Sequence, residues 1–499
     1  MEQFINQFPA LIIAVPLLTA LFTPVLAFSA AKLCHAIAQL ALLATTAMTG
    51  TLLYQVITNG NISYHLGKWE PPYGIEFVLD PLAAVVAVVV AFVACVCWMG
   101  SKPVITSGQH PRRRAAVFQT LYLLVTVGLI GVVIAGDIFT TYVFIEVASI
   151  AGYGILALGG PKAAMAIYRY IFLGTIGATF YLLGVGFLYA NTGSLNMADI
   201  TVLIKPMLDS PAVLFAVAMV VLGFGIKSAL FPLHMWLPDT YTGGPTAAVS
   251  FISGTMTKVF GYAMFRFLFY IFGGPGTAAV RTALDLMGWM AAAGIIYGSV
   301  MAIAQKDLRR MLAYSSVAQL NYLHLGMALA VPAAYIGFVF QIISHAITKS
   351  CLFMIAGGIK YKTGNTEIDN FNGLYKRMPI ISVAFTIAAL SMIGIPITSG
   401  FFAKWYLLEA SATASQYIFV GVLVLSGLLN AVYFFRVFER IYFRPADKDI
   451  IVRNTGKLEL PINMLTPVII MSVTILAVGC GAGWIVENIL QYIVVGGGI

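Results

Sequence analysis

The chain has 499 residues, of which 60% are hydrophobic and only 9% charged; soluble domains carry roughly 25% charged residues. That balance excludes an ordinary soluble enzyme and implies a polytopic membrane protein of all-α class. The formal charge of +9 reads as an orientation signal spread over loops, and the cluster Arg112 to Arg114 as a topology anchor, so no nucleic-acid partner is expected.

At roughly 20 residues per span, apolar runs predict helices near 8–28, 33–54, 79–99, 116–135, 137–158, 166–190, 211–231, 245–270, 284–304, 312–331, 333–358, 379–413, 416–440 and 461–483. The first run has no basic n-region and no small-residue cleavage pattern, and is expected to be a retained span. Asn59 to Asp80, with Gly60, Gly67, Pro71, Pro72 and Gly74, predicts a short hairpin or cap on the outer side. The expected domains are 1–115 (three N-terminal helices with the hairpin), 116–270 and 284–440 (two five-helix repeats), and 441–499 (a cytoplasmic connector and C-terminal helix). Five is an odd number of crossings, so the repeats must be inverted relative to each other.

Charge fixes the expected orientation. With Lys102 to Arg114 cytoplasmic, alternation places Lys32, Lys162, Arg169, Lys306, Arg309, Arg310, Lys360 to Arg377 and Arg436 to Lys457 on the same side. Only Lys68, Lys205, Arg266 and Arg281 fall outside, while Lys227, Lys258, Lys349 and Lys404 lie within spans. The positive-inside rule then puts both termini outside a cell's inner (cytoplasmic) membrane.

Two spans are interrupted in related ways. Pro232 and Pro238 break the seventh just after Lys227, and Pro396 and Gly400 split the twelfth just before Lys404. Freed backbone groups within a bilayer are tolerated only where protein or water satisfies them, and paired broken helices mark a transport path.

The buried charges carry the chemistry. An ammonium at the bilayer centre costs at least about 2.5 to 3.5 kcal/mol on insertion scales, so it must face protein, water or a counter-charge. Glu146, mid-span in GDIFTTYVFIEVASIAGYG, is the expected partner of Lys227, and a proton arriving at either group changes the other. Lys258, flanked by Thr255 and Thr257, is placed to pass protons along hydroxyls and water. His345 and Lys349 are four apart and share a helical face, with Ser344, Thr348 and Ser350 nearby. Lys404 would end the line, embedded by Phe401, Phe402, Trp405 and Tyr406, with Glu409 either its counter-ion or an outer-end residue. Among secondary candidates, Asp137 reads as helix-dipole compensation, Asp239 as a cap of the short following segment, and His234 equally as a relay or as a hydrogen-bonding group at an interrupted helix end.

Cys34, Cys95, Cys97, Cys351 and Cys480 are scattered, and the one close pair points to different helical faces. That excludes an iron–sulfur or zinc centre supplied by this chain alone, and no P-loop, dinucleotide fingerprint or nucleophile triad is evident. No cofactor is expected.

The run LGFGIKSALFPLHMWLPDTYTGGPTAAVSFISGTMTKVFGYAMFR, with DIFTTYVFIEV, KDLRRMLAYSSVAQLNY, SHAITKSCLF and GIPITSGFFAKW, resembles the proton-translocating antiporter-like family over nearly the whole chain. That family includes large membrane subunits of respiratory complex I, the D-type subunits of Mrp sodium/proton antiporters, and subunits of membrane-bound hydrogenases. The segments GKWEPPYGIEFVLDPLAAV and GGIKYKTGNTEIDNFNGLYKRMP are most similar to the Mrp D-type and hydrogenase versions. The resemblance implies fourteen helices with inverted five-helix repeats, a glutamate–lysine pair at Glu146 and Lys227, a central lysine at Lys258, a next station at His345 and Lys349, and a terminal lysine at Lys404. Gln319 stands where some complex I subunits carry a histidine. The expected function is proton movement within a hetero-oligomeric membrane complex in a lipid bilayer, with sodium a second candidate ion. A D-type component of a sodium/proton antiporter is the leading form, and a subunit of a redox-driven pump, which alone would be a translocase enzyme, is the alternative. A quinone-handling subunit and a purely structural one are the remaining readings.

Overall fold

A computed structural model describes residues 5–105, 111–445 and 459–496. The chain is an all-α polytopic membrane protein. Its principal elements are α1 (Phe8–Asn59), β1 (Ile62–His65), β2 (Glu76–Leu79), α2 (Pro81–Met99), α3 (Pro111–Ile134), α4 (Ile138–Ala157), α5 (Pro161–Thr192), α6 (Pro211–Lys227), α7 (Leu237–Gly243), α8 (Thr246–Phe265), α9 (Ala278–Ile303), α10 (Leu308–Leu329), α11 (Pro332–Thr363), α12 (Pro379–Ile393), α13 (Ser399–Thr413), α14 (Tyr417–Phe438) and α15 (Ile462–Cys480). Among the described residues, ten helical stretches are long and apolar enough to cross a membrane, and α6 and α12 are shorter apolar helices. α8 and α10 are almost wholly buried and carry the polar groups discussed below.

The helical run of α1 is bent. Gln119 Nε2 donates both to Thr23 Oγ1 at 3.1 Å and to the Cys34 carbonyl at 2.8 Å. A straight helix would hold residues eleven apart at about 16 Å along its axis, so the run bends between Thr23 and Cys34.

The hairpin forms as expected. β1 and β2 pair antiparallel, with Ile62 opposite Leu79 and His65 opposite Glu76. Glu76 ties it to the bundle, its carbonyl accepting from Gly136 N at 2.8 Å and its Oε2 from Asn196 Nδ2 at 2.8 Å. The next turn holds a staple: Asp80 Oδ1 caps α2 through Ala83 N at 2.8 Å, while Oδ2 pairs with Arg266 at the end of α8. The Tyr270 ring lies 5.0 Å from that guanidinium. Breaking a buried pair by removing one member leaves the other uncompensated, so Arg266→Met is expected to destabilise the protein by about 3 kcal/mol. The measurement is a lowered thermal unfolding temperature in detergent, and an unchanged midpoint would show the staple to be idle.

Both helix interruptions are present, with their geometry sharpened. α6 stops at Lys227, Ala229 adopts φ 58°, and helix resumes at α7. α12 stops at Ile393, Gly394 takes the left-handed conformation at φ 93°, and α13 begins at Ser399. Gly400 thus lies inside the first turn of α13, where a Cβ would come within 1.9 Å of the Ser391 carbonyl. It permits a close approach across the break; Gly394 supplies the turn.

Candidate functional site

Lys227 is the last residue of α6 and 2% exposed. A helix C-terminus presents unpaired carbonyls and the negative end of the helix dipole, so a cation there is favoured locally. Its Nζ donates to Ser149 Oγ at 2.7 Å and lies 3.4 Å from Glu146 Oε1. Glu146 and Ser149 are three residues apart on α4 and so share a face. The rings of Tyr153 and Phe260 stand 5.9 and 5.8 Å from the ammonium. The predicted pair is therefore in place, and Ser149 is a third member that sequence reasoning misses, although its spacing from Glu146 is an available signal.

Lys258 is buried in α8, donating to the Ser253 carbonyl and lying 3.4 Å from Thr257 Oγ1. Across from it, Lys349 of α11 donates to the Leu312 carbonyl at 2.8 Å and to Ser315 Oγ, both on α10. His345, one turn earlier on α11, is 3% exposed, and its Nε2 has no partner among the described residues. Small residues allow this proximity: a Cβ on Gly254 of α8 would meet Ser350 Oγ at 2.1 Å and the Ala346 carbonyl at 2.9 Å. Ser350 Oγ also crosses to the Ser250 carbonyl at 2.9 Å. Close approach through Gly and Ser is the usual packing of helices in lipid.

From that station a series of hydroxyls leads to the second break. Ser344 meets Ser399 at 3.0 Å, Thr348 meets Ser391 at 3.2 Å, and Ser391 lies 3.5 Å from Ser399 and accepts from Gly400 N at 3.1 Å. Lys404 reaches back across the break, donating to the Met392 and Ile393 carbonyls at 2.7 and 2.9 Å. These are the last carbonyls of α12. Both interrupted spans thus hold an ammonium at the C-terminal end of their first half-helix, Lys227 from within its own half-helix and Lys404 from the one that follows. Among the described residues, no ion pair includes Lys258, Lys349 or Lys404.

Several local expectations need correction. Glu409 is exposed and, among the described residues, makes no ion pair to Lys404, which is satisfied by backbone carbonyls and lies 5.4 Å from the Tyr322 ring. Nor do the flanking aromatics enclose Lys404 as expected: Trp405 is 53% exposed, one position along the helix and on another face. Asp239 is not a cap. It lies inside the first turn of α7, between Arg310 at 3.3 Å and Arg169 at 3.7 Å, at the end of the bundle away from the hairpin. Asp137 does cap α4, accepting from Thr140 N at 2.6 Å. His234 is buried at the first break, its ring 5.4 Å from that of Phe231 and 5.1 Å from that of Tyr297. Sequence reasoning also misses His324, which contacts Ser228 at 2.8 Å; unlike His345, it has no buried lysine at helical spacing to draw attention to it.

The family described as NADH:quinone oxidoreductase/Mrp antiporter, transmembrane, matches residues 135–430. NADH-quinone oxidoreductase subunit N of Desulforudis audaxviator is 43% identical over 496 residues, covering 97% of this chain and 98% of its own. The D-type subunit of the Na(+)/H(+) antiporter of Alkalihalophilus pseudofirmus is 32% identical over 445 residues, 88% of this chain and 86% of its own. Among solved structures, a chain of the membrane-bound sulfane sulfur reductase, an archaeal respiratory membrane complex, superposes with a TM-score of 0.88 at 29% identity, over 97% of this chain and 96% of the other.

Proposed function

This chain belongs to the NADH:quinone oxidoreductase/Mrp antiporter family of membrane subunits, and from that membership we propose that it moves protons along a buried line running from Glu146 and Lys227 through Lys258, then His345 and Lys349, to Lys404. The observation that carries this reading is the Lys227 ammonium, buried among helices and facing one carboxylate at 3.4 Å and one hydroxyl at 2.7 Å. Ionisable groups at membrane depth mark ion pathways and proton relays. Between the two breaks the same line offers amines, an imidazole and hydroxyls, all of which both accept and donate protons.

The chain acts within a multisubunit membrane assembly. Glu146 supports a neighbour on the α4 side: its side chain is 27% exposed, on a stripe with Phe139, Val143 and Ile150, which are 46, 45 and 63% exposed. A carboxylate opening on a lipid-depth apolar stripe is costly unless another subunit covers it. The basic residues gathered at the end opposite the hairpin favour placing that end in the cytoplasm, with both termini outside. Two inverted five-helix units, 116–270 and 284–440, are favoured by the matching ammonium positions at the two breaks.

The assembly we favour is a redox-driven one, because the 43% identity to a quinone oxidoreductase subunit extends over essentially both full chains. The second reading is a D-type component of a sodium/proton antiporter, favoured by the relative at 32% identity. Purifying the tagged chain from its native membrane and reconstituting what accompanies it separates them. We expect redox subunits to co-purify and vesicle acidification to follow addition of an electron donor. Acidification by a sodium gradient alone, with no redox subunit present, would overturn the redox reading in favour of the antiporter one.

A further inference from the structure

α10 joins the two halves of the bundle through its polar side chains. Toward the second half it offers the Leu312 carbonyl and Ser315 to Lys349 and lays the Tyr322 ring 5.4 Å from Lys404. Toward the first half it reaches the segment that interrupts the helix after Lys227. Asn321 Oδ1 accepts from Phe231 N at 3.2 Å, while His324 Nε2 meets Ser228 Oγ at 2.8 Å. Asn321 and His324 are three apart and so lie on one face, gripping the first residues of the interruption at two points. Farther along, Arg309 Nη2 holds the Tyr241 and Gly244 carbonyls at the end of α7, at 3.1 and 2.5 Å.

Ser228 Oγ also donates to the Phe224 carbonyl at 2.7 Å, so the serine hydroxyl links the imidazole to the last turn of α6. His324 is fully buried. The hydrogen bond therefore fixes the residue covalently next to Lys227, at a place where Ala229 already departs from helical geometry. A buried hydrogen bond at such a site constrains where the preceding ammonium points.

The geometry points to His324 as a positioning residue that sets the place of Lys227 relative to Glu146 from a helix that also contacts Lys349 and Lys404. This rests on the reading of Lys227 as a translocating group.

The test uses the whole complex in proteoliposomes, with proton transport and the infrared band of the Glu146 carboxyl, assigned by its loss in Glu146→Gln, as separate readouts. His324→Ala is expected to slow transport roughly five- to tenfold, the effect of one lost buried hydrogen bond, and to displace the Glu146 band. His324→Gln keeps both a donor and an acceptor and should restore both. Ser228→Ala removes the acceptor with less risk to folding and should reproduce the His324→Ala phenotype, the double variant being no worse than either alone. An unmoved Glu146 band in both alanine variants, or a glutamine variant as impaired as alanine, would overturn the positioning role. Loss of transport in Lys227→Ala alongside an unmoved band would overturn it while leaving the proton-transport reading intact. Normal transport in Lys227→Ala would instead defeat the transport reading, and the band would still judge the clasp.

Discussion

Lys227→Ala and Glu146→Gln are each expected to reduce proton transport to background while the chain still assembles with its partners. The reasoning begins with what each substitution leaves behind. Glu146→Gln keeps the shape and one hydrogen-bonding oxygen, so packing on α4 is preserved, but the ammonium at 3.4 Å then faces an amide and Ser149 only. Removing one member of a buried ion pair costs about 3 to 5 kcal/mol, and the 27% exposure of Glu146 places this case at the lower end. Lys227→Ala is milder for stability, because the carboxylate left behind is partly exposed and the truncated side chain ends α6 without a new buried charge. Both remove the switch in which protonation of one member alters the other. The checks are dye-monitored acidification of proteoliposomes and native-gel migration of the complex. Transport at the wild-type rate in either variant would refute the assigned role of the pair.

The division between what the sequence discloses and what it conceals follows the nature of the partners. Lys227, Lys258, Lys349 and Lys404 stand out because each is a charge in an apolar run, and burial in a membrane protein makes such residues legible by their cost. The helix interruptions are equally legible, since proline removes a donor and clashes with the preceding turn. What those ammonium groups bind is another matter. Three of the four are satisfied by backbone carbonyls or hydroxyls, the Leu312, Met392 and Ile393 carbonyls among them, and a carbonyl is carried by every residue and leaves no mark in the sequence. A nearby acid such as Glu409 therefore looks like a counter-ion when it is one helical face away from the work. Asp239 misleads in the opposite direction: its proximity to Pro238 suggests a cap, but Arg169 and Arg310, distant in the chain, are what it meets. His324 is hidden for the same reason, its partner Ser228 lying 96 residues away.

Lys404 provides the sharpest separation of structure from transport, and Lys404→Arg and Lys404→Ala are expected to differ in stability while agreeing in inactivity. The ammonium holds the Met392 and Ile393 carbonyls, and the Met392 carbonyl also accepts from Asn430 Nδ2 at 3.3 Å. Alanine would leave the Ile393 carbonyl without this donor at the broken end of α12, at about 1 to 3 kcal/mol for a buried group unpaired. Arginine keeps a positive charge and several donors at the helix C-terminus, so it retains most of that stabilisation if Gly394, against which the Lys404 stem packs, allows the bulkier head. A guanidinium, however, does not release its proton at any physiological pH. If Lys404 only seals the end of α12, Lys404→Arg should transport at close to the wild-type rate; if it passes a proton, that variant should unfold near the wild-type temperature and transport at background, and the second result is the one expected. The same contrast applied to Lys227 would be harder to read, because there the charge is paired with a carboxylate and its loss disturbs two groups at once. At Lys404 the partners are neutral, so the proton is the only thing the substitution withholds.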